Sequence, residues 1–188
     1  MKKILILLAL IITGATLWFG LDYKNKSDIS PNRIVDKANL YSFEVPSGWK
    51  IIKNEGSTEF GQLSNLSFET SDWKTREDNS GDICSRTYID SGASFFIFAQ
   101  KGTGIGVHSG EGGGTEVGVT EKKDVIVDEV EGLFHKYKNF CTVEGGSMDV
   151  HFVRDGKSYH IVMDYNPDKF TDAEEIFTHV VNSFKFKD

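Results

Sequence analysis

The stretch SMDVHFVRDGKSYHIVMDY, residues 147–165, decides the architecture of this chain. Apolar and polar side chains alternate on both sides of Asp155-Gly156, a dipeptide typical of a two-residue hairpin turn because both positions need positive φ. A turn this tight fixes the register, so His151 is predicted to lie opposite His160 and Phe152 opposite Tyr159. The pattern predicts an antiparallel hairpin with one apolar face and one face that carries two imidazoles.

Further strands are predicted on both sides of the hairpin, in segments that alternate or that are continuously apolar. These segments are residues 40–45, 49–52, 59–69, 93–99, 120–127 and 131–141. Residues 70–93 are polar and are predicted to be mainly loop. The run 93–99 is apolar throughout, which predicts a strand that is buried on both faces.

The last element predicted is an amphipathic helix. From Thr171 to Phe184 apolar residues recur at helical spacing, and Glu174, three residues after Thr171, predicts a capping box. Six to eight mostly antiparallel strands with a C-terminal helix packed on them make an α+β fold.

The first 21 residues are predicted to be a membrane segment. Lys2 and Lys3 precede an uncharged, mostly apolar run from Ile4 to Leu21. A helix of this length spans about 27 Å, close to the hydrocarbon thickness of a bilayer, and the two lysines favour a cytoplasmic N-terminus. Bulky residues end the run and no small-residue cleavage pattern follows, which favours an uncleaved signal anchor over a cleaved signal peptide that would release a secreted domain.

The chain therefore divides into an anchor at 1–21, a polar tether at 22–37 and one domain at 38–188 that lies outside the cytoplasm. The formal net charge is −7, and without Lys2 and Lys3 it is −9, from 19 basic and 28 acidic side chains. A domain this acidic repels a polyanion, so nucleic acid is excluded as the expected partner.

The face of the hairpin that carries His151 and His160 includes further potential metal ligands if the preceding hairpin pairs Tyr137 with His151. His135 and Asp149 then join His151 and His160 on one face of the sheet. Imidazoles beside a carboxylate can bind a divalent ion such as zinc, or can act as a pH switch. The alternative is a half-exposed polar face on which the histidines are incidental.

A second candidate metal site follows the last strand. Oxygen-bearing side chains stand at positions 1, 3, 5, 9 and 12 of a calcium-loop template. They are Asp164, Asn166, Asp168, Asp172 and Glu175. Lys169 occupies the position that needs glycine, and a strand rather than a helix precedes the segment. A turn followed by a helix N-terminus is the alternative interpretation.

Cys84 and Cys141 are the two cysteines of the chain. In an oxidising compartment two cysteines indicate one disulfide, here closing a loop of more than fifty residues. Two separate buried thiols are the alternative. The glycine-rich residues 101–118 match neither a Walker loop nor a dinucleotide turn, and they predict a surface loop.

Several short motifs resemble those of PsbP-like domains, over about residues 38–187. Tyr41-x-Phe43-x-Val45-Pro46-x-Gly48-Trp49 resembles the opening hairpin of that family. The segments 125–132, 155–159 and 182–186 match its later motifs in the same order. The resemblance implies an antiparallel sheet flanked by helices, and accessory or binding work rather than catalysis.

The sequence carries no nucleophile-elbow or metalloprotease motif, so we expect a protein without enzymatic activity and without an obligatory cofactor. The expected function is that of a membrane-anchored, extracytoplasmic accessory or binding domain with a protein partner in the envelope. A domain that binds a divalent metal or senses pH is the alternative, and an envelope enzyme is a further one.

Overall fold

A seven-stranded antiparallel sheet forms the centre of the fold, and its strands follow the order β3-β4-β7-β12-β11-β9-β8. The computed structural model describes residues 32–56, 61–78, 86–102, 118–138 and 143–187. In chain order the elements are β1 (Asn32–Val35), β2 (Tyr41–Val45), β3 (Lys50–Glu55), β4 (Gln62–Glu69), β5 (Lys74–Asp78), β6 (Arg86–Ser91), β7 (Ala93–Lys101), β8 (Val119–Val127), β9 (Val130–Lys138), β10 (Val143–Glu144), β11 (Gly146–Arg154), β12 (Lys157–Tyr165), α1 (Ala173–Ser183) and β13 (Lys185–Phe186).

Two small sheets accompany the large one. Strands β1, β2 and β13 form an antiparallel sheet, and β5, β6 and β10 form another in which β10 runs parallel to β6. The predicted α+β class is confirmed as a mostly antiparallel sheet with one C-terminal helix. Strand β1 lies inside the segment 22–37 that the sequence predicted to be a tether.

Several predictions concern residues outside the described ranges. The anchor at 1–21, the cysteines Cys84 and Cys141, and most of the glycine-rich segment 101–118 belong to this group.

Within the described ranges, no helix combines the length and the apolar character that crossing a bilayer requires.

The hairpin of β11 and β12 has the predicted register. Asp155 and Gly156 adopt positive φ angles of 52° and 68°, as a two-residue turn requires. His151 lies opposite His160, and Phe152 lies opposite Tyr159. Because side chains alternate along a strand, this register assigns one face of the hairpin to the core and the other to polar groups.

The apolar face of the large sheet is covered by α1. The helix buries Phe177 and Val180 against the sheet. Phe177 stacks on Phe95 of β7 with ring centroids 5.9 Å apart, and it contacts Phe134 of β9 at 5.8 Å. Tyr41 of β2 is also fully buried here, and its hydroxyl lies 2.7 Å from that of Ser64. The polar face is therefore on the side of the sheet away from the helix.

The prediction of a loop over residues 70–93 is wrong, because β5 and β6 lie within it. The described side chains of β5 from Lys74 to Glu77 are all exposed. A strand exposed on both faces shows no apolar alternation, so its sequence resembles a loop. The run 93–99 is a strand as predicted, yet Phe96 is 41% exposed, so only one of its faces is fully buried.

The predicted capping box at the start of α1 is also wrong. The helix begins at Ala173 after Asp172, and no side chain makes a cap hydrogen bond there. Glu174, which the capping box requires, forms an ion pair with Lys136 of β9 instead. Glu174 therefore pairs with a charged side chain on β9 rather than with a backbone N–H at the start of its own helix.

Candidate functional site

The polar face of β9 and β11 brings His135 and Asp149 directly opposite each other. The register in which Tyr137 pairs with His151 is not observed, because His151 lies opposite Leu133 and Tyr137 lies opposite Ser147. That prediction is wrong by four residues, because the connection from β9 to β11 is longer than a tight turn and includes β10. A register shift by an even number of residues leaves every side chain on the same face of the sheet. The predicted set of polar residues therefore still shares one surface.

His135 and Asp149 are both buried, with 7% and 6% of their surfaces exposed. His135 Nδ1 lies 3.6 Å from Asp149 Oδ1, which is beyond hydrogen-bond distance. Among the residues that the structure describes, neither atom has a hydrogen-bond partner. Two buried polar atoms thus face each other across a gap that is too long for a direct bond.

His151 lies beside this pair on the same face. One ligand atom from each of His135, Asp149 and His151 falls within 4.8 Å of the other two. The imidazole of His151 is half-buried, and its ring lies 5.9 Å from that of His135 at an angle of 16°. We call these three residues the histidine–aspartate cluster.

His160, the fourth predicted ligand, lies on the other side of His151 from His135. Its ring is 6.0 Å from that of His151 and stacks on Phe98 at 4.5 Å. His160 is 2% exposed, but it is not part of the group whose ligand atoms converge. The structure therefore brings together three of the four residues predicted for this site.

Tyr137 extends the cluster at the other end, with its ring 5.8 Å from that of His135. Its hydroxyl makes a hydrogen bond to the Asp149 carboxylate. Burial raises the pKa of Asp149, and the positive charge that His135 can carry and the Tyr137 hydroxyl oppose this shift without cancelling it. The carboxylate thus occupies a site where its charge is not fully compensated.

The acidic residues of the calcium-loop template are not brought together in the part of the chain that the structure describes. Within the described ranges, Asp164, Asp168 and Glu175 form no group of neighbouring ligand atoms. The Asn166 side chain serves the turn, because its oxygen accepts hydrogen bonds from the N–H groups of Asp168 and Lys169. Its amide also donates to the Ile89 carbonyl at 2.6 Å. The structure favours the alternative, a turn that leads into a helix.

The cysteines lie outside the described residues, but the strands that follow them are described. Thr87 of β6 pairs with Val143 of β10 in parallel orientation. Cys84 precedes Thr87 by three residues, and Cys141 precedes Val143 by two.

A groove of about 280 Å³ on the helix side of the sheet was missed by the sequence analysis. It lies between β8, β9, β11 and α1. Its apolar lining includes Phe134, Met148, Phe177 and Val181. These residues come from three separate elements, so no local pattern in the sequence indicates the groove.

No family model and no curated protein matches this chain. A search of solved structures finds the solution structure of cyanobacterial PsbP from Synechocystis, with a TM-score of 0.51 and 14% identity over 86% of this chain and 95% of that one. The Ran-binding protein Mog1p of Saccharomyces cerevisiae matches at TM-score 0.44 and 10% identity, over 84% and 96% of the two chains. A protein of unknown function from Pseudomonas aeruginosa matches at TM-score 0.39 and 11% identity, over 81% and 94%. The first of these likenesses supports the PsbP-like fold that the motifs indicated, and it extends to the fold alone.

Proposed function

We propose that this protein is a membrane-anchored binding domain that works outside the cytoplasm and holds its ligand at the histidine–aspartate cluster. The observation that carries the proposal is the buried His135–Asp149 couple, whose facing atoms, His135 Nδ1 and Asp149 Oδ1, lie 3.6 Å apart and make no hydrogen bond within the part of the chain that the structure describes. Most buried polar atoms in native proteins have a hydrogen-bond partner, so an exception needs an explanation.

A structural role explains the couple poorly. Leaving a buried donor or acceptor unpaired costs about 1–3 kcal/mol, and more for a charged group. Apolar side chains of similar size at these two positions would remove that cost. A ligand bound at this site gives these atoms a partner that the described residues do not supply.

The proposed location rests on the sequence of the first 21 residues. Lys2 and Lys3 before an apolar run favour an N-terminus in the cytoplasm and a domain on the other side of the membrane. We propose that the membrane and an envelope protein are its partners. The acidic charge of the domain argues against nucleic acid.

We propose binding rather than catalysis because the sequence around the cluster matches no known nucleophile or protease motif. The PsbP-like fold fits this view as an analogy.

The site is tested by replacing the couple with apolar residues, as His135→Phe together with Asp149→Leu. If the cluster serves binding, the free energy of unfolding falls by no more than about 1–3 kcal/mol, the cost of the buried Tyr137 hydroxyl that loses its carboxylate partner. The matched control is Asp36→Ala, which removes a buried aspartate that accepts three backbone hydrogen bonds and is therefore structural. A loss of about 3–5 kcal/mol in the double variant would show that the cluster holds the fold together.

The location and the binding role are tested on intact membranes. A tag at the C-terminus should be digested by protease added to spheroplasts, while the cytoplasmic N-terminus stays protected. Crosslinking in those membranes should join the wild type to an envelope protein and should not join the double variant. A protected C-terminal tag contradicts the location, and identical crosslinks contradict the binding site.

A further inference from the structure

We infer that the histidine–aspartate cluster binds one divalent transition-metal ion of the zinc type, through His135, Asp149 and His151. The ion is the ligand of the binding site proposed above, so the inference rests on that function. The geometry, the burial and the chemistry of the donor atoms each support a metal ion over other small ligands.

The spacing of the unpaired couple fits two ligands of one ion. In a tetrahedral zinc site nitrogen and oxygen donors lie about 2.0–2.2 Å from the metal, which separates neighbouring donors by about 3.3 Å. His135 Nδ1 and Asp149 Oδ1 are 3.6 Å apart. That distance is too long for a direct hydrogen bond and is within a few tenths of an ångström of the separation that an ion imposes.

His151 supplies the third donor. The donor atoms of the three residues lie within 4.8 Å of one another, so side-chain rotations that move a donor by up to about 1.5 Å bring them to zinc-binding distances. His151 is the residue of the cluster that is partly exposed, and an ion enters from its side. His135 and Asp149 sit on adjacent strands in direct opposition, so the sheet itself holds their spacing.

Burial explains why a cation is favoured. The Asp149 carboxylate is almost completely removed from water, with 6% of its surface exposed. A dication bound to one of its oxygens compensates the buried negative charge directly. The Tyr137 hydroxyl, which hydrogen-bonds this carboxylate, orients it in the manner of an outer-shell partner of a metal ligand.

The donor types select the class of metal. Imidazole nitrogens with one carboxylate oxygen suit zinc and its first-row neighbours, whereas calcium and magnesium take oxygen ligands and copper(I) takes thiolates and thioethers. Three protein donors match the number found in zinc sites that keep a position for water or another ligand.

The test is calorimetric titration of Zn²⁺ into full-length protein that has been freed of metal with a chelator. The wild type is expected to bind one ion per chain. Asp149→Asn and His135→Phe are expected to weaken binding at least about 100-fold, since loss of an outer-shell partner alone costs 10–100-fold. His179→Gln is the matched control, because His179 lies on α1 outside the cluster, and its affinity should equal that of the wild type.

Cobalt(II) provides a second readout that identifies the donors. The wild type should show the ligand-field bands of a nitrogen- and oxygen-ligated ion, and no sulfur-to-cobalt charge-transfer band. A sulfur band, an unchanged affinity in both cluster variants, or no binding by folded wild type would each overturn the metal site.

These outcomes separate the metal from the proposed function. If the wild type binds no metal while the double variant still loses its envelope crosslink, the binding site stands with another ligand. If metal binds at the cluster and the crosslinks of the wild type and the double variant are identical, the metal site stands and the proposed partner binding at the cluster fails.

Discussion

The Lys185 ammonium lies 2.7 Å from Asp128 Oδ1, which ties the last strand of the chain to the turn between β8 and β9. The other oxygen of the same carboxylate accepts the backbone N–H of Phe186 at 2.8 Å. Asp128 has a positive φ of 47°, so the turn presents its side chain to β13. One aspartate thereby joins segments that are 57 residues apart.

We predict that this contact stabilises the fold in a pH-dependent way. Burial raises the pKa of Asp128, but hydrogen bonds from Lys185 and Phe186 and the nearby charges of Lys185 and Arg154 outweigh burial and hold the pKa below its usual value. The folded state then binds this proton less tightly than the unfolded state. The stabilisation is complete above about pH 4 and is lost as the pH falls through the lowered pKa.

Asp128→Asn tests this, because asparagine also tolerates positive φ. It should cost about 1 kcal/mol of unfolding free energy at neutral pH, and the difference from wild type should shrink as urea titrations are repeated at lower pH. The control is Asp155→Asn, a turn aspartate at φ 52° whose side chain is 75% exposed and which should change little at any pH. A cost at Asp128 that stays constant with pH contradicts the prediction.

A second prediction concerns Tyr137→Phe, which removes only the hydroxyl that hydrogen-bonds Asp149. The buried carboxylate loses a partner, so the free energy of unfolding should fall by about 1–2 kcal/mol. Zinc affinity should fall by about 10–100-fold, as for other outer-shell partners. Tyr165→Phe, at another buried tyrosine of the same sheet, should leave the zinc affinity unchanged. Equal zinc affinities in the two variants would remove Tyr137 from the site.

A third prediction concerns Asp36, which is 2% exposed. Its carboxylate accepts the backbone N–H groups of Ala38, Leu40 and Tyr41 at 2.6–2.9 Å. Asp36→Ala leaves these donors without their partner and should cost about 3 kcal/mol in chemical denaturation. Asp36→Asn keeps one acceptor oxygen and should cost about half as much. If both variants unfold like the wild type, water replaces the carboxylate at no cost.

The registers of two strand pairs show what the sequence could and could not indicate. The turn at Asp155-Gly156 determined the register of its own hairpin, so His151 and His160 were placed correctly. The pairing of β9 with β11 depends on a longer connection, for which no turn rule applies, and its register was wrong. The alternation of side chains nevertheless kept the right residues on the polar face.

Predictions failed where a distant partner decided the structure. Glu174 pairs with Lys136 rather than capping its own helix, and local spacing carries no information about that contact. Strand β5 was missed because its described side chains are exposed on both faces. The gap between His135 and Asp149 is likewise a property of the folded sheet, and the sequence could nominate the two residues but not their distance.

The last prediction is a disulfide between Cys84 and Cys141. Thr87 of β6 pairs with Val143 of β10 in parallel orientation, and Cys84 and Cys141 precede these two residues in the sequence by three and two positions. A disulfide here closes a loop of 57 residues and should stabilise the fold by about 4 kcal/mol.

Intact mass after alkylation of the protein, purified without reductant and denatured, should show no adduct, and two adducts should appear after reduction. Replacing both cysteines with alanine should lower the free energy of unfolding relative to oxidised wild type. It should make no difference relative to reduced wild type, because a reductant removes the same constraint. Two alkylated thiols without reductant would mean that the cysteines are separate. The strand pairing between β6 and β10 would then have to hold the two chain segments together without a covalent link.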